Sequence, residues 1–463
     1  MNYHIVTFGC QMNVADSEWI ARSLQDMGGV VTNVREADVI LVNTCSVREK
    51  PEHKLRTALG RIAQETGGRK GVLVVVTGCV AQQLKETIFS YSSQVRLVAG
   101  TDTVAAIPAN IAWLLEHPER HMCTAGFEKD MAERPAPRTG HTGPTALVNI
   151  MQGCDNFCTY CIVPFTRGRQ KSRASKAILD ECKALLDQGV REITLLGQNV
   201  NAYGKDKTGD GTSFAALLHM VAELDPDLRL RYVTPHPKDM GPEDVAAFAD
   251  IPNLCPRLHL PMQAGADRVL KRMNRRYDHA GYLALVEDLK KARPDIALST
   301  DIIVGFPGET EEEFLATMDM VKRCNFMSSF SFCYSDRPGT RASTFLDKIP
   351  QGIQLDRLQR LQALQEDLSQ AWLNERQGCE TTVLIEDTSP RQNENGNETS
   401  WQGRDPYGAL VHVALKDPNP VGKYVRVRVT HAFRLCLNAW VTRTRTYLPT
   451  GFGSFRATCT SAP

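Results

Sequence analysis

The sequence predicts an α/β multidomain chain: an N-terminal open parallel α/β sheet domain, a central partial (β/α)6 TIM-like barrel and a small C-terminal antiparallel β-barrel. Three observations carry this. Strand-like and helix-like runs alternate through the first 120 residues. They alternate again from residue 146 to residue 333, and after a leucine-rich helix the pattern turns to short β-branched runs bounded by Asn, Gly and Pro. A length of 463 residues agrees with about three domains.

In order, the first segment reads as a strand at 3–8, a helix near 17–27, a strand at 39–43, a helix near 50–64 and a β-branched strand at 72–77. A helix from Val80, a strand near Val95 and a helix at 104–116 complete it. Such alternation favours a parallel sheet covered on both faces. Cys10, Cys45 and Cys79 each stand two residues beyond a predicted strand. Parallel strands end on one edge, where open α/β sheets bind ligands, and neighbours lie ~4.8 Å apart, so these thiols can converge. Gly9 and Gly78 precede two of them, as a tight turn beside a cofactor requires. The bland alternative is three small buried side chains; a cluster site is the sharper expectation.

Residues 132–144, rich in Pro, Gly and Thr, read as a linker. Beyond it, strands are expected at 146–151, 192–196, 229–234, 257–260, 297–304 and 327–333. Helices are expected near 175–189, 214–223, 242–249, 279–291 and 311–323. Six units at most fall short of the eight of a full barrel. The loop after the first strand carries Cys154, Cys158 and Cys161, at the strand end where barrel enzymes place their chemistry. Thiols this close in a chain expected to be cytoplasmic point to metal ligation or redox chemistry. Three thiolates can hold three corners of a four-iron cluster and leave the fourth iron for a non-protein ligand. A closed zinc site is disfavoured because no fourth Cys or His lies nearby in sequence.

Residues 351–377 form an amphipathic helix with Leu355, Leu358, Leu361, Leu364 and Leu368 spaced by three or four, then Trp372, expected to pack on the barrel. Strand-like runs at 381–386, 410–413 and 424–430 follow. The net charge of +1 hides two basic stretches. One holds Arg167, Arg169, Lys171, Arg173 and Lys176. The other holds Lys423, Arg426, Arg428, Arg434, Arg443 and Arg445, interleaved with Tyr424, Phe433 and Trp440, the pairing of charge and stacking surface used on RNA. Solvated surface is the bland alternative for both. No window approaches the ~20 apolar residues of a membrane span. The tail is expected to be disordered, and the other eight of the fourteen cysteines receive no role.

The pattern CxxxCxxC, with aromatic Tyr160 before the last cysteine, resembles the signature of radical S-adenosylmethionine (SAM) enzymes. Longer blocks extend the likeness: TFGCQMN at 7–13, NTCSVRE at 43–49, TGCVAQ at 77–82, GCDNFCTYCIVPFTRGRQKSR at 153–173, LLGQNVNAYG at 195–204 and TDIIVGFPGET at 300–310. Over nearly its whole length the chain is similar to the methylthiotransferase family. That resemblance implies an N-terminal methylthiotransferase domain (1–120), a linker (121–144), a radical SAM core barrel (145–372), an RNA-binding TRAM domain (376–447) and a disordered tail (448–463). It implies two [4Fe-4S] clusters, a SAM-binding one on Cys154, Cys158 and Cys161 and an auxiliary one on Cys10, Cys45 and Cys79. SAM contacts are expected from Tyr160, Gln198, Ile303 and Gly305, with Glu309 one residue late for the family's motif. Substrate or RNA contacts are expected from Arg167, Lys171, Lys423, Arg426 and Arg428. The implied partners are tRNA, through adenosine 37 bearing an N6-isopentenyl group, and an external electron donor, with no membrane and a monomeric chain. Relatives acting on a ribosomal-protein aspartate or on threonylcarbamoyladenosine remain alternatives, as does an iron–sulfur RNA-binding protein without turnover.

Overall fold

The computed structural model describes residues 1–46, 51–129, 134, 140–141, 143–390 and 399–441. Its N-terminal part is a six-stranded parallel sheet. The order is Val30–Val31, Asn2–Thr7, Val39–Thr44, Leu73–Gly78, Val95–Ala99 and Met122–Thr124. The strands Val39–Thr44 and Leu73–Gly78 are buried throughout, which explains their unbroken apolar character: alternate residues enter two cores. Val39, Leu41, Leu73 and Val75 meet Trp19, Ile20, Ile107 and Ile111 on one face. Ile40, Val42, Val74 and Val76 meet Leu55, Leu59 and Ile62 on the other.

Two boundaries differ from expectation. The first helix begins at Gln11, with Cys10 as its N-cap, because its early polar residues Asn13, Asp16 and Ser17 are buried in hydrogen bonds rather than solvated. The sheet also gains an edge strand, Met122–Thr124, inside the expected linker, pairing Cys123 with Val98. Much of the rest of that linker lies outside the described residues, as do Arg443, Arg445 and the tail.

Six parallel strands make the central barrel: Thr145–Asn149, Glu192–Leu196, Arg229–Tyr232, Arg257–His259, Ala297–Val304 and Ser328–Cys333. A bridge between Leu230 and Leu254 joins the two halves. Val148, Ile193, Leu195, Leu230, Leu258, Ile302 and Val304 point outward into a core shared with the covering helices. The long helix Gln351–Asn374 adds Leu358, Leu361, Leu364 and Leu368 to it. Leu355 is exposed instead, and Trp372 packs on the C-terminal module.

The barrel's inner face receives the other two parts. The helix Gln11–Asp26 sets Met12 and Ala15 against Leu147, Leu196 and Val233. At the opposite end of the strands, Arg229 donates to the backbone carbonyls of Arg404 and Thr382. Arg231 donates to those of Pro406 and Asp405.

The C-terminal module is a closed five-stranded barrel in the order Glu380–Thr388, Thr399–Arg404, Leu410–Leu415, Leu437–Val441 and Tyr424–Ala432. Its pairs are antiparallel except Leu410–Leu415 with Leu437–Val441, which is parallel. Among the described residues no helix is long and apolar enough to cross a membrane.

Candidate functional site: two cysteine triads facing one barrel

The loop bearing Cys154, Cys158 and Cys161 lies between two short paired strands, Met151–Gln152 and Lys171–Ser172. Gly153 starts it at φ +79°, and a Cβ there would fall 2.1 Å from the Arg169 carbonyl oxygen, so the turn tolerates only glycine. Gln198 accepts the Gly153 N–H. The Cys154 N–H reaches Gly168 O at 3.3 Å, and the Thr159 N–H reaches Met273 O at 3.0 Å. Burial pushes the Cys154 thiol up to about 11 and the Cys161 thiol up to about 12, and the nearby Cys158 adds to both. Two groups from later loops of the barrel close on Cys158. Arg275 Nη1 lies 3.5 Å from its Sγ, and His236 Nε2 lies 4.0 Å away. Burial and the Arg275 charge lower His236 to about 2, so the imidazole there is neutral.

Cys10, Cys45 and Cys79 stand at the carboxyl ends of three neighbouring strands. A Cβ on Gly9 (φ +127°) would lie 2.5 Å from Cys45 Cβ, and one on Gly78 (φ +91°) 2.2 Å from Thr44 O. Both glycines therefore let the thiol loops close up. The Cys10 thiol is lowered to about 5, first by a hydrogen bond with Cys45 and further by the Arg167 charge. A cavity of about 180 Å³ lined by Thr7, Thr44, Cys45, Lys54 and Leu55 opens beside this triad.

Arg167 joins the two triads. It follows Cys161 in the same loop, yet its guanidinium is buried against the N-terminal domain, 3.2 Å from Asp16 Oδ2 and 3.2 Å from Asn13 Oδ1. It is also close to the Cys79 and Cys10 thiols. Lys171 is likewise buried, 2.5 Å from Asp102 and 2.9 Å from Glu128 O. Both are expected to meet substrate or RNA; in the structure each cation pairs with a buried carboxylate across the domain boundary.

The expected SAM contacts divide. Tyr160 and Ile303 share a small cluster with Phe306 and Tyr334 on the inner side of the barrel. Gln198 holds the cysteine loop through Gly153. At Gly305 the backbone N–H is taken by Glu309 Oε2 at 2.7 Å. Burial raises Glu309 to about 7 although Arg357 lies 2.8 Å away. Of the expected RNA contacts, Arg426 is exposed, while Lys423 pairs with Asp417 at 2.6 Å and Arg428 with Glu380 at 3.0 Å. Sequence patterns did not single out Arg275, His236, Asp16 or Asp102, because nothing local marks them. Among the described residues no three His, Cys, Asp or Glu side chains converge on one ion position; a cluster asks less, since each thiolate takes its own iron.

A six-stranded parallel barrel with three free thiols in the loop after its first strand defines the radical SAM enzymes. Residues 148–321 match the Radical SAM superfamily, and residues 2–100 match the Uncharacterized protein family UPF0004. Membership of the former implies a [4Fe-4S] cluster and SAM. The tRNA-2-methylthio-N(6)-dimethylallyladenosine synthase of Nitratidesulfovibrio vulgaris is 56% identical over 432 residues, covering 93% of this chain and 96% of that one. Its counterpart in Lawsonia intracellularis is 51% identical (89% and 93% covered), and that of Geobacter sulfurreducens 42% (93% and 95%). The chain belongs to this family of tRNA-2-methylthio-N(6)-dimethylallyladenosine synthases. In fold alone it is similar to the radical SAM methyltransferase TsrM from Kitasatospora setae, solved with cobalamin and a [4Fe-4S] cluster (TM-score 0.53, 16% identity, 74% of this chain and 77% of that one). It is also similar to the cobalamin-dependent radical enzyme OxsB (TM-score 0.51, 12% identity, 79% and 56%).

Proposed function

We propose that the protein converts N6-dimethylallyladenosine at position 37 of tRNA to its 2-methylthio derivative, with one SAM as methyl donor and a second as radical source. The observation that carries this is Arg167, which leaves the Cys161 loop and is buried on Asp16 and Asn13 of the N-terminal domain, close to Cys79 and Cys10, so that one side chain links the two thiol loops.

Cys154, Cys158 and Cys161 would hold the SAM-binding cluster, and Cys10, Cys45 and Cys79 a second. The donor sets fit: each offers three free thiols, soft ligands suited to iron–sulfur clusters, with one corner left over. When bound, the first cluster and SAM supply a 5′-deoxyadenosyl radical, able to take hydrogen from an unactivated carbon as no side chain can. The chain's own residues do the rest. Arg275 points an N–H at Cys158 and offsets thiolate charge. The helix Gln11–Asp26 and the C-terminal module cover two parts of the barrel's inner face and keep water from them. Lys423, Arg426 and Arg428 on the C-terminal module would meet RNA phosphates, and a base in a single-stranded loop is cheap to turn out toward the barrel. On this reading residues 1–120, 145–372 and 376–447 act as cluster, radical and RNA-binding domains of a single chain fed by an external electron donor.

The test is anaerobic turnover with SAM, a reductant and a tRNA anticodon stem-loop carrying the prenylated base, read by nucleoside mass analysis. The methylthio product is expected. Release of 5′-deoxyadenosine without any methylthio product overturns the proposal.

A further inference from the structure

Among the described residues most of the barrel's inner face is covered, but one wall is not. Arg229 and Arg231 carry the C-terminal module at one end, and the helix Gln11–Asp26 covers the first two strands. On the last strand, Ser328–Cys333, Phe330 and Phe332 are 55% and 56% exposed. Register places them inside. Phe330 is paired with Asp301 and Phe332 with Ile303, while Ser331 is paired with Ile302 and Cys333 with Val304. Ile302, Val304 and Cys333 belong to the helix-covered core, so by strand alternation Asp301, Ile303, Phe330 and Phe332 face inward. His259 confirms this side: its ring meets Phe330 edge-on at 5.9 Å, and its Nε2 lies 3.3 Å from Asp301. Ile303 and Tyr160 of the cysteine loop both pack against one buried cluster around Phe306 and Tyr334. An apolar wall thus runs from the cysteine loop into the barrel.

We propose that Phe330 and Phe332 receive the N6-dimethylallyl group of the target adenine and are the residues by which the protein selects a prenylated base; this rests on the function proposed above. The chemistry selects this occupant. A branched five-carbon group has no hydrogen-bonding atom and gains from burial against two phenyl rings. An N6 substituent that ends in a carboxylate, such as threonylcarbamoyl, would meet the same rings with the Asp301 carboxylate beside them, so like charge and lost hydration both reject it. Apart from the His259 contact with Phe330, these two rings are left half exposed on an inward-facing strand, where an apolar ligand would gain from them.

The test compares the affinities of the SAM-loaded holoenzyme for two anticodon stem-loops, one with N6-dimethylallyladenosine and one with plain adenosine. The wild-type protein is expected to prefer the prenylated loop by roughly 10- to 200-fold. Phe332→Ala, and Phe330→Ala with it, should cut that preference about tenfold or more, chiefly by weakening the prenylated loop, and Phe332→Leu should keep most of it. Melting temperature checks that the variants fold. An unchanged preference in the double alanine variant overturns the wall. So does a wild type that makes methylthio product from the prenylated loop yet binds both loops equally. A wild type that makes no methylthio product from the prenylated loop overturns the proposed function itself, and the wall with it.

Discussion

The two sets of three thiols in this protein are built in opposite ways. Cys154, Cys158 and Cys161 share one loop closed by a pair of two-residue strands, and its backbone is fixed by Gly168, Met273 and Gln198. Cys10, Cys45 and Cys79 are far apart in sequence and meet only because parallel pairing aligns Thr7 with Asn43 and Thr44 with Gly78. Each set is completed by an arginine, but from different places. Arg275 reaches Cys158 from within the same barrel, whereas Arg167 reaches Cys79 from the neighbouring domain. The difference teaches that a local motif carries its own geometry, while a triad set by topology depends on sheet and interface together.

The sharpest way to break this comparison is to remove one thiol from each set. With both clusters loaded, Cys158→Ala and Cys45→Ala should each drop bound iron from about eight to about four per chain. Only Cys158→Ala should abolish 5′-deoxyadenosine release. Iron analysis beside a nucleoside assay decides it, and loss of all iron in either variant would mean that the sets are not independent.

A smaller effect separates the two arginines. Arg167→Gln takes one of two cations from the buried Asp16 carboxylate, whose other partner Arg134 lies 2.6 Å away, and should cost about 3 kcal/mol in denaturant unfolding. Adding Asp16→Asn should restore part of that loss. Arg275→Gln strips hydrogen bonds from a carbonyl, hydroxyls and a thiol but strands no carboxylate, so it should cost less, about 1–3 kcal/mol.

A further effect belongs to the barrel side alone and appears only as pH changes. Burial raises the Glu309 carboxyl from 4.5 to about 7. The folded chain therefore holds this proton more tightly than the unfolded chain does. Its contribution is complete below about pH 4.5 and is lost as pH rises through about 7. Glu309→Gln should flatten that fall, a difference of up to about 3 kcal/mol across the window, measured by unfolding at several pH values.

Much of this architecture was legible because its signals are local. The six barrel strands follow from β-branched runs, and the cysteine loop from its spacing. The N-terminal triad needed one inference more, that parallel strands end together. What stayed hidden depends on distant partners. Arg167 and Lys171 look like solvated cations in sequence, since Asp16 and Asp102 lie 151 and 69 positions away. The first turns of the helix Gln11–Asp26 looked non-helical because their polar residues serve a buried network. In the C-terminal module the strand Thr399–Arg404 carries Gly403, whose Cβ would meet Leu384 O at 2.0 Å, so close backbone approach replaced the apolar alternation a strand usually shows.

The floor of the radical barrel is set by residues far down the chain. Arg229 spends its N–H groups on carbonyls 153 and 175 positions later, and Tyr424 donates back to Arg191 and Asp227. A chain cut after the long helix would strip Arg229 and Arg231 of four backbone acceptors and bare that end of the barrel to water. The C-terminal barrel is therefore not a detachable accessory: the radical domain is closed at that end only once residues 380–441 have been made.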